Sequence, residues 1–163
     1  MSPTFVAGIE VPACECGAAM PCIDSWHAAL AVEQSDPMMY AWHAPLVCAF
    51  VLQHRSRLLP RHADGQFRIL QFYVDQGIEA TNRLAQHQIS RNRRSASGYD
   101  MEPLAPYTAL PKSVPPADFP LGVNDLRDSA GGFVSDGHRA YGDRMYRLAQ
   151  TTIRAWLRPR EQS

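Results

Sequence analysis

Three cysteines lie close together near the N-terminus of the chain, at Cys14, Cys16 and Cys22. The segment that contains them, CECGAAMPC, consists of small and turn-forming residues, and Gly17 can take the positive φ that a metal knuckle usually requires. Thiols so close in sequence lose little loop-closure entropy when they converge on one point. If the loop, the Cys knuckle (residues 14–22), binds a metal ion, the fold must hold it against an element that supplies a further ligand. The alternative is that the three cysteines are small buried or free thiols.

The size and charge of the chain restrict its partners. Its 163 residues fit one domain, and the contents of 45% hydrophobic and 20% charged residues are ordinary for a globular protein. Sixteen basic residues balance sixteen acidic ones, so no global charge attracts nucleic acid or an anionic membrane. We expect a single domain over residues 1–163 whose partner is a protein or a small molecule, with no nucleic acid and no membrane.

The N-terminal residues contain neither a basic region nor an apolar core of the kind that directs secretion. No apolar run approaches the ~18 residues that a membrane span needs. We therefore expect a cytoplasmic protein. Thiols stay reduced in that compartment, so clustered cysteines are expected to be metal ligands or reactive groups rather than disulfides.

Helical periodicity covers most of the remaining chain. Pro45 is tolerated only in the first turn of a helix and so places one helix start near His43. Gly77 is expected to kink or divide the longest helical segment. The four predicted long helices cover residues 22–35, 43–57, 63–91 and 135–157, with a short helix over 123–129. No strand-like alternation is present, so the sequence predicts an all-α, single-domain helical bundle.

Residues 95–122 break the helical pattern. Six of the thirteen prolines fall there: Pro103, Pro106, Pro111, Pro115, Pro116 and Pro120. Such a segment cannot form a long helix or a central strand. Because apolar residues persist in it, we expect a Pro-rich strap (residues 95–122) that packs across the helices or covers a pocket. Residues 1–13 have no periodicity and are expected to form a loose arm.

The three thiols of the knuckle need a fourth partner, because zinc prefers four ligands drawn from thiolate and imidazole. Two histidines of the second helix, His43 and His54, are eleven residues apart, about 16 Å along a straight helix. Only one of them can therefore join the knuckle. An antiparallel hairpin of the first two helices places Cys22 beside His54, whereas the other connection selects His43.

We predict one structural zinc ion that ties the N-terminal arm to the helices. Its predicted ligands are Cys14, Cys16, Cys22 and His54. His43 is the reserve ligand, and Cys48, which lies among apolar residues in mid-helix, is expected to be a core residue. The remaining histidines have no paired ligand spacing and are expected at the surface: His27, His62, His87 and His138.

The order of these motifs resembles a bacterial family of small helical proteins of unknown function. Its members carry a CxxCG knuckle, a Cys that opens a helix, an H-x-L-x-V-x-x-Y-x-x-Q-H-P helix, a V-x-D segment and a Trp-containing terminal helix. The matching residues are Cys16, Gly17, Cys22, His43, Val47, Gln53, His54, Val123, Asp125, Ala149, Ile153, Ala155 and Trp156. Ala13 stands where the first knuckle Cys would fall, and Cys14 takes its place. The resemblance implies a helical fold and carries no established activity.

Three classes of function remain open. The first is a zinc-stabilised helical protein, not an enzyme, with a binding or regulatory role. The second is a metal-dependent enzyme with an open zinc position under the Pro-rich strap as a lid, which three protein ligands and a water would indicate. The third is a nucleic-acid module, which the neutral charge argues against; the basic cluster of residues 91–94 is typical of a helix C-terminus.

Overall fold

Five α-helices organise the protein, which a computed structural model describes over residues 14–94, 99–111 and 115–159. The helices are α1 (Ile23–Ser35), α2 (Pro37–Tyr40), α3 (His43–Gln53), α4 (Pro60–Arg94) and α5 (His138–Leu157). Short 3-10 helices occupy Arg55–Arg57 and Val123–Leu126, and the described ranges contain no strand. The predicted all-α fold is confirmed. The predicted arm (1–13) and parts of the strap (95–98 and 112–114) lie outside the described residues.

None of the helices in the described ranges combines the length and the hydropathy that crossing a membrane requires.

A tight cap at Asp36 connects the first two helices. The carboxylate Oδ1 of Asp36 accepts hydrogen bonds from the backbone N–H of Met38 and of Met39, both at 3.1 Å, and Pro37 occupies the first turn of α2. The other carboxylate oxygen of Asp36 pairs with Nε2 of His138 at 2.7 Å. The predicted stop at Asp36 is thus confirmed, and the same side chain ties α2 to the start of α5.

The second predicted helix ends earlier than expected. The sequence favoured a helix as far as Arg57, but α3 ends at Gln53 because His54 adopts extended backbone angles, φ −120° and ψ 95°. Residues 55–57 continue only as a 3-10 turn. The change of direction at His54 turns its ring back toward the Cys knuckle.

Helix α4 turns sharply at Gly77, as predicted. Gly77 has φ 84° and ψ 177°, a combination that only glycine adopts readily. Gln66 and Asn92 would lie about 39 Å apart on a straight helix, yet both line one cavity. The two halves of α4, residues 60–76 and 78–94, therefore fold back toward each other.

Helix α5 supplies the apolar stripe that the sequence predicted. Its inward residues are buried: Tyr141, Met145, Leu148, Thr152 and Trp156. Through them α5 packs against α3 and α4. The indole Nε1 of Trp156 also donates to the carbonyl of Leu52 at 3.0 Å, which satisfies one of the carbonyls left free at the end of α3.

The first described part of the strap, residues 99–111, lies along the first half of α4. The Arg68 guanidinium donates to the carbonyls of Leu104, Ala105 and Tyr107 at 3.3, 3.3 and 2.6 Å. Leu104 is fully buried. The charged Arg68 side chain thus holds this irregular segment in place. The segment cannot hold itself through regular backbone hydrogen bonds, because its prolines lack an N–H group.

Replacement of Gly77 tests the turn in α4, because a continuous helix and a turn at this residue predict opposite changes in stability. In a continuous helix Gly77→Ala would stabilise the protein by roughly 0.5–1 kcal/mol. At the observed angles an alanine is strained, and we expect a loss of about 1–3 kcal/mol. An alanine Cβ meets no atom within 4 Å, so the effect reports backbone conformation alone. Urea unfolding measures it, with Gln76→Ala as the control.

Candidate metal centre

The Cys knuckle is a tight loop that depends on one glycine. The backbone N–H of Gly17 donates to the carbonyl of Cys14 at 2.9 Å, and Cys14 N–H donates to Ala18 at 3.2 Å. Gly17 has φ 87°, as the sequence predicted, and a Cβ there would lie 2.6 Å from Cβ of Asp118 in the strap. Both the positive φ and the close approach of the strap require glycine.

The knuckle and the end of α3 bring four metal-binding side chains together: Cys14, Cys16, Cys22 and His54. One donor atom from each lies within 4.8 Å of all the others. We call this group the Cys3His cluster. Its closest separations are 3.5 Å between Sγ of Cys16 and Sγ of Cys22, and 3.3 Å between Sγ of Cys14 and Nε2 of His54.

These separations match the edges of a tetrahedral metal site. Metal bonds of ~2.3 Å to sulfur and ~2.0 Å to nitrogen give edges of about 3.8 Å between sulfurs and about 3.5 Å between sulfur and nitrogen. All four cysteines of the chain are free thiols. The donors therefore fit a metal ion in both spacing and chemistry.

The ring of His54 is oriented for metal binding. Its Nδ1 donates to the carbonyl of Phe50 at 2.6 Å; because a carbonyl only accepts, the proton of the neutral ring lies on Nδ1. Nε2 then carries the lone pair and faces the thiols. The ring also stacks on Phe50, and Phe50 stacks on Trp26. A carbonyl bonded to the far nitrogen is the usual partner of a metal-binding histidine.

The cluster favours negative charge on sulfur and positive charge beside it. A hydrogen bond from Cys22 lowers the pKa of Cys16 well below its usual range, against the opposing effect of burial. That bond and burial raise the pKa of Cys22. Burial lowers the pKa of His54, but its hydrogen bonds, the strongest to Cys16, outweigh this and raise it to about 9. Protons on His54 and Cys22 thus compensate the thiolate, and a divalent cation can replace them.

The second part of the strap covers the buried side of the cluster. The N–H of Phe119 donates to the carbonyl of Cys16 at 3.0 Å. A Cβ on Gly122 would lie 3.6 Å from the Cys22 sulfur and 3.9 Å from the Cys16 sulfur. The N–H of Gly122 is held by the Asp125 carboxylate at 2.7 Å. Cys16 and Cys22 are consequently 1% exposed, whereas Cys14 is half-buried.

Gln53, next to His54, connects three parts of the chain. Its amide nitrogen donates to the carbonyl of Leu121 in the strap at 2.8 Å and to the Thr152 hydroxyl of α5 at 2.9 Å. The Gln-His pair that the sequence singled out thus has two tasks, since Gln53 anchors the cover of the cluster and His54 supplies a donor atom.

The other candidate ligands lie away from the cluster. His43, the reserve ligand, donates from Nδ1 to Glu33 at 2.7 Å. Cys48 is buried in the core as predicted, and burial raises its pKa to about 12. His138, expected at the surface, has a side chain that is 28% exposed, and it pairs with Asp36 to join α2 to α5.

Glu33 is a buried carboxylate whose pairing with His43 the sequence analysis missed. It is 3% exposed, although a carboxylate is rarely buried without a partner. The signal was present, because helical spacing places Glu33 on the apolar face of α1 with Trp26 and Leu30. A charged residue on such a face indicates a buried partner, which here is His43.

A small cleft opens beside the half-buried side of the cluster. Its volume is about 190 Å³, and its wall includes Cys14, His54 and Arg57. The Glu15 carboxylate accepts from the N–H and the hydroxyl of Ser56, which pins the knuckle to the 3-10 turn after α3. Solvent thus reaches the cluster from this side.

The fold and the cluster define a helical protein with a Cys3His site suited to a metal ion. The model of a family of unknown function, DUF5946, matches residues 11–157, and the chain belongs to this family. The predicted relation to a family of unknown function is confirmed. No curated protein and no solved structure is significantly similar to the chain.

Two glycine substitutions separate the strain of the knuckle from its packing. Gly131 has nearly the same φ as Gly17, 85° against 87°, but a Cβ there meets no atom within 4 Å. Gly131→Ala should therefore cost about 1 kcal/mol for the positive φ alone. Gly17→Ala must also displace Asp118, and we expect about 2–3 kcal/mol. Equal losses in urea unfolding would contradict the close contact of strap and knuckle.

Proposed function

We propose that the protein binds one zinc ion at the Cys3His cluster and that this ion is structural. The observation that carries the proposal is the convergence of four donor atoms within 4.8 Å from two separate parts of the chain. Thiolate and imidazole ligands favour zinc over calcium and magnesium, which take oxygen ligands. The reduced thiols suit the cytoplasmic location that we infer.

The number of donors supports a structural role. Structural zinc sites have four protein ligands, whereas catalytic sites leave one position for water or substrate. Here three thiols and one imidazole complete a tetrahedron. Two of the thiols, Cys16 and Cys22, are 1% exposed under the strap. A cavity of about 490 Å³ lies beside Cys16 on that side, lined by Phe119 and Gly122 of the strap, so the structural role rests on the number of donors.

The ion would cross-link parts of the chain that have few other contacts. Short loops such as the knuckle bury little apolar surface, and the knuckle is joined to the end of α3 chiefly by Glu15 and the cluster. Metal binding to such a loop contributes directly to the free energy of folding. We infer a helical scaffold with a binding or regulatory role, for which the neutral charge disfavours nucleic acid as the partner.

The cleft beside Cys14 favours one second candidate, a metal-dependent enzyme. If Cys14 left the ion, water or substrate could reach the open position through this cleft of about 190 Å³. The residues that line the cleft do not come from the strap. An enzyme of this kind would therefore work without the Pro-rich segment as its lid.

Metal content and coordination test the proposal directly. We expect the purified protein to carry zinc at a one-to-one ratio, and X-ray absorption to fit three sulfurs and one nitrogen. Cys16→Ser and His54→Ala should lose the metal, because three donors bind zinc more weakly than four. Cys48→Ala and His27→Ala, which change residues outside the cluster, should retain it.

The stability of the same proteins tests the structural role. A chelator should lower the melting temperature of the wild type and leave the metal-free His54→Ala variant unchanged, because metal affinity is folding free energy only where the metal binds. Protein that lacks bound metal after growth with zinc, or a chelator without effect on melting, would refute the proposal. A fit with two sulfurs, one nitrogen and one oxygen would favour the enzyme instead.

A further inference from the structure

A second cavity lies at the other end of α3 from the Cys3His cluster. It has a volume of about 270 Å³ and lies between α3 and the two halves of α4. We call it the α3–α4 cavity. Its apolar wall consists of Ala44, Val47, Ile69, Leu84, Ala85 and Ile89. Aliphatic residues from three helical segments that leave a space of this size are typical of a small-molecule site.

His43 lines this cavity and is held in one orientation by a buried carboxylate. The side chain of Glu33 has no exposed surface, and its Oε2 accepts from Nδ1 of His43 at 2.7 Å. The ring of His43 also stacks on Tyr40, with centroids 5.0 Å apart. Since Nδ1 is occupied by Glu33, the other ring nitrogen, Nε2, is the one left to meet a ligand. It makes no hydrogen bond within the described ranges.

The charge of the wall selects a neutral ligand. The residues of the described chain that line the cavity include no Asp, Glu, Lys or Arg. Within the described ranges Glu33 has no ion-pair partner besides His43, so an anionic ligand would bring a charge without compensation into an apolar space. A cationic ligand would likewise find no carboxylate in the wall. The ligand must therefore be uncharged.

The volume of the cavity and its hydrogen-bonding groups narrow the class of ligand further. A dry cavity of about 150 Å³ holds benzene, so 270 Å³ suits a body of about ten to twelve non-hydrogen atoms. A hydroxyl group both donates and accepts, and so pairs with Nε2 in either protonation state of His43. Oε1 of Gln66, on the same wall, is buried and has no partner within the described residues.

We propose that the α3–α4 cavity binds a neutral apolar molecule of bicyclic size through one hydroxyl group, which pairs with Nε2 of His43. Glu33 acts as a positioning residue that fixes the ring. The site is separate from the zinc cluster, because its residues and those of the cluster do not overlap. The proposal for this cavity therefore does not depend on whether the cluster holds zinc.

Three probes of equal size test the chemistry by calorimetry on the full chain. 2-Naphthol carries the hydroxyl, naphthalene lacks it, and 2-naphthoate is charged. We expect saturable binding of 2-naphthol, about tenfold weaker binding of naphthalene because one hydrogen bond is lost, and no binding of 2-naphthoate. Equal affinities for the first two probes, tighter binding of 2-naphthoate, or no saturable binding of 2-naphthol would overturn the proposal.

Matched variants locate the binding. An asparagine amide can still donate to Glu33 but offers nothing in the place of Nε2, so His43→Asn should lower the affinity for 2-naphthol to that for naphthalene. Val47→Phe fills the cavity and should abolish binding of both. His27→Asn, on the exposed face of α1, should change neither. If His43→Asn does not fold, Val47→Phe decides: unchanged affinity in that variant would place the ligand elsewhere and refute the site.

Discussion

One hydrogen bond, from the ring of His54 to the carbonyl of Phe50, fixes how α3 meets the Cys3His cluster. In a continuing helix that carbonyl would accept from the backbone N–H of residue 54. Here the backbone N–H bonds instead to Val51 at 3.3 Å, and the side chain takes its place. The same contact thus ends α3, removes an unpaired carbonyl and directs Nε2 at the thiols. Without it neither the fourth donor nor the change of chain direction would be fixed.

The residues of the Cys3His cluster could be predicted from the sequence because three of the four lie in one short loop. Three thiols within one loop need only one distant partner. The antiparallel packing of α1 and α3 places His54, and not His43, beside these thiols. Helix periodicity likewise predicted α5 and the turn at Gly77. The early end of α3 escaped prediction because it depends on a side-chain bond that competes with a backbone bond of similar strength.

The contact between the strap and the cluster could not be predicted from the sequence, for a different reason. Phe119 and Gly122 approach the thiols only after the strap has crossed the molecule, and no short-range pattern encodes that path. Proline content predicted an irregular segment but not what it touches. Arg68 looks like an ordinary surface residue of a helix in the sequence; its bonds to three strap carbonyls appear only once two distant segments meet.

The knuckle and the start of α1 are also held by residues that are synthesised much later. Asn124 donates to the carbonyl of Met20, 104 residues away, and Arg127 donates to the hydroxyl of Ser25, 102 residues away. Contacts of such separation form slowly and late. On the ribosome the three thiols therefore emerge before these partners and stay uncovered until most of the chain has followed. Any ion or partner that the thiols encounter during synthesis therefore reaches them before the strap covers the cluster.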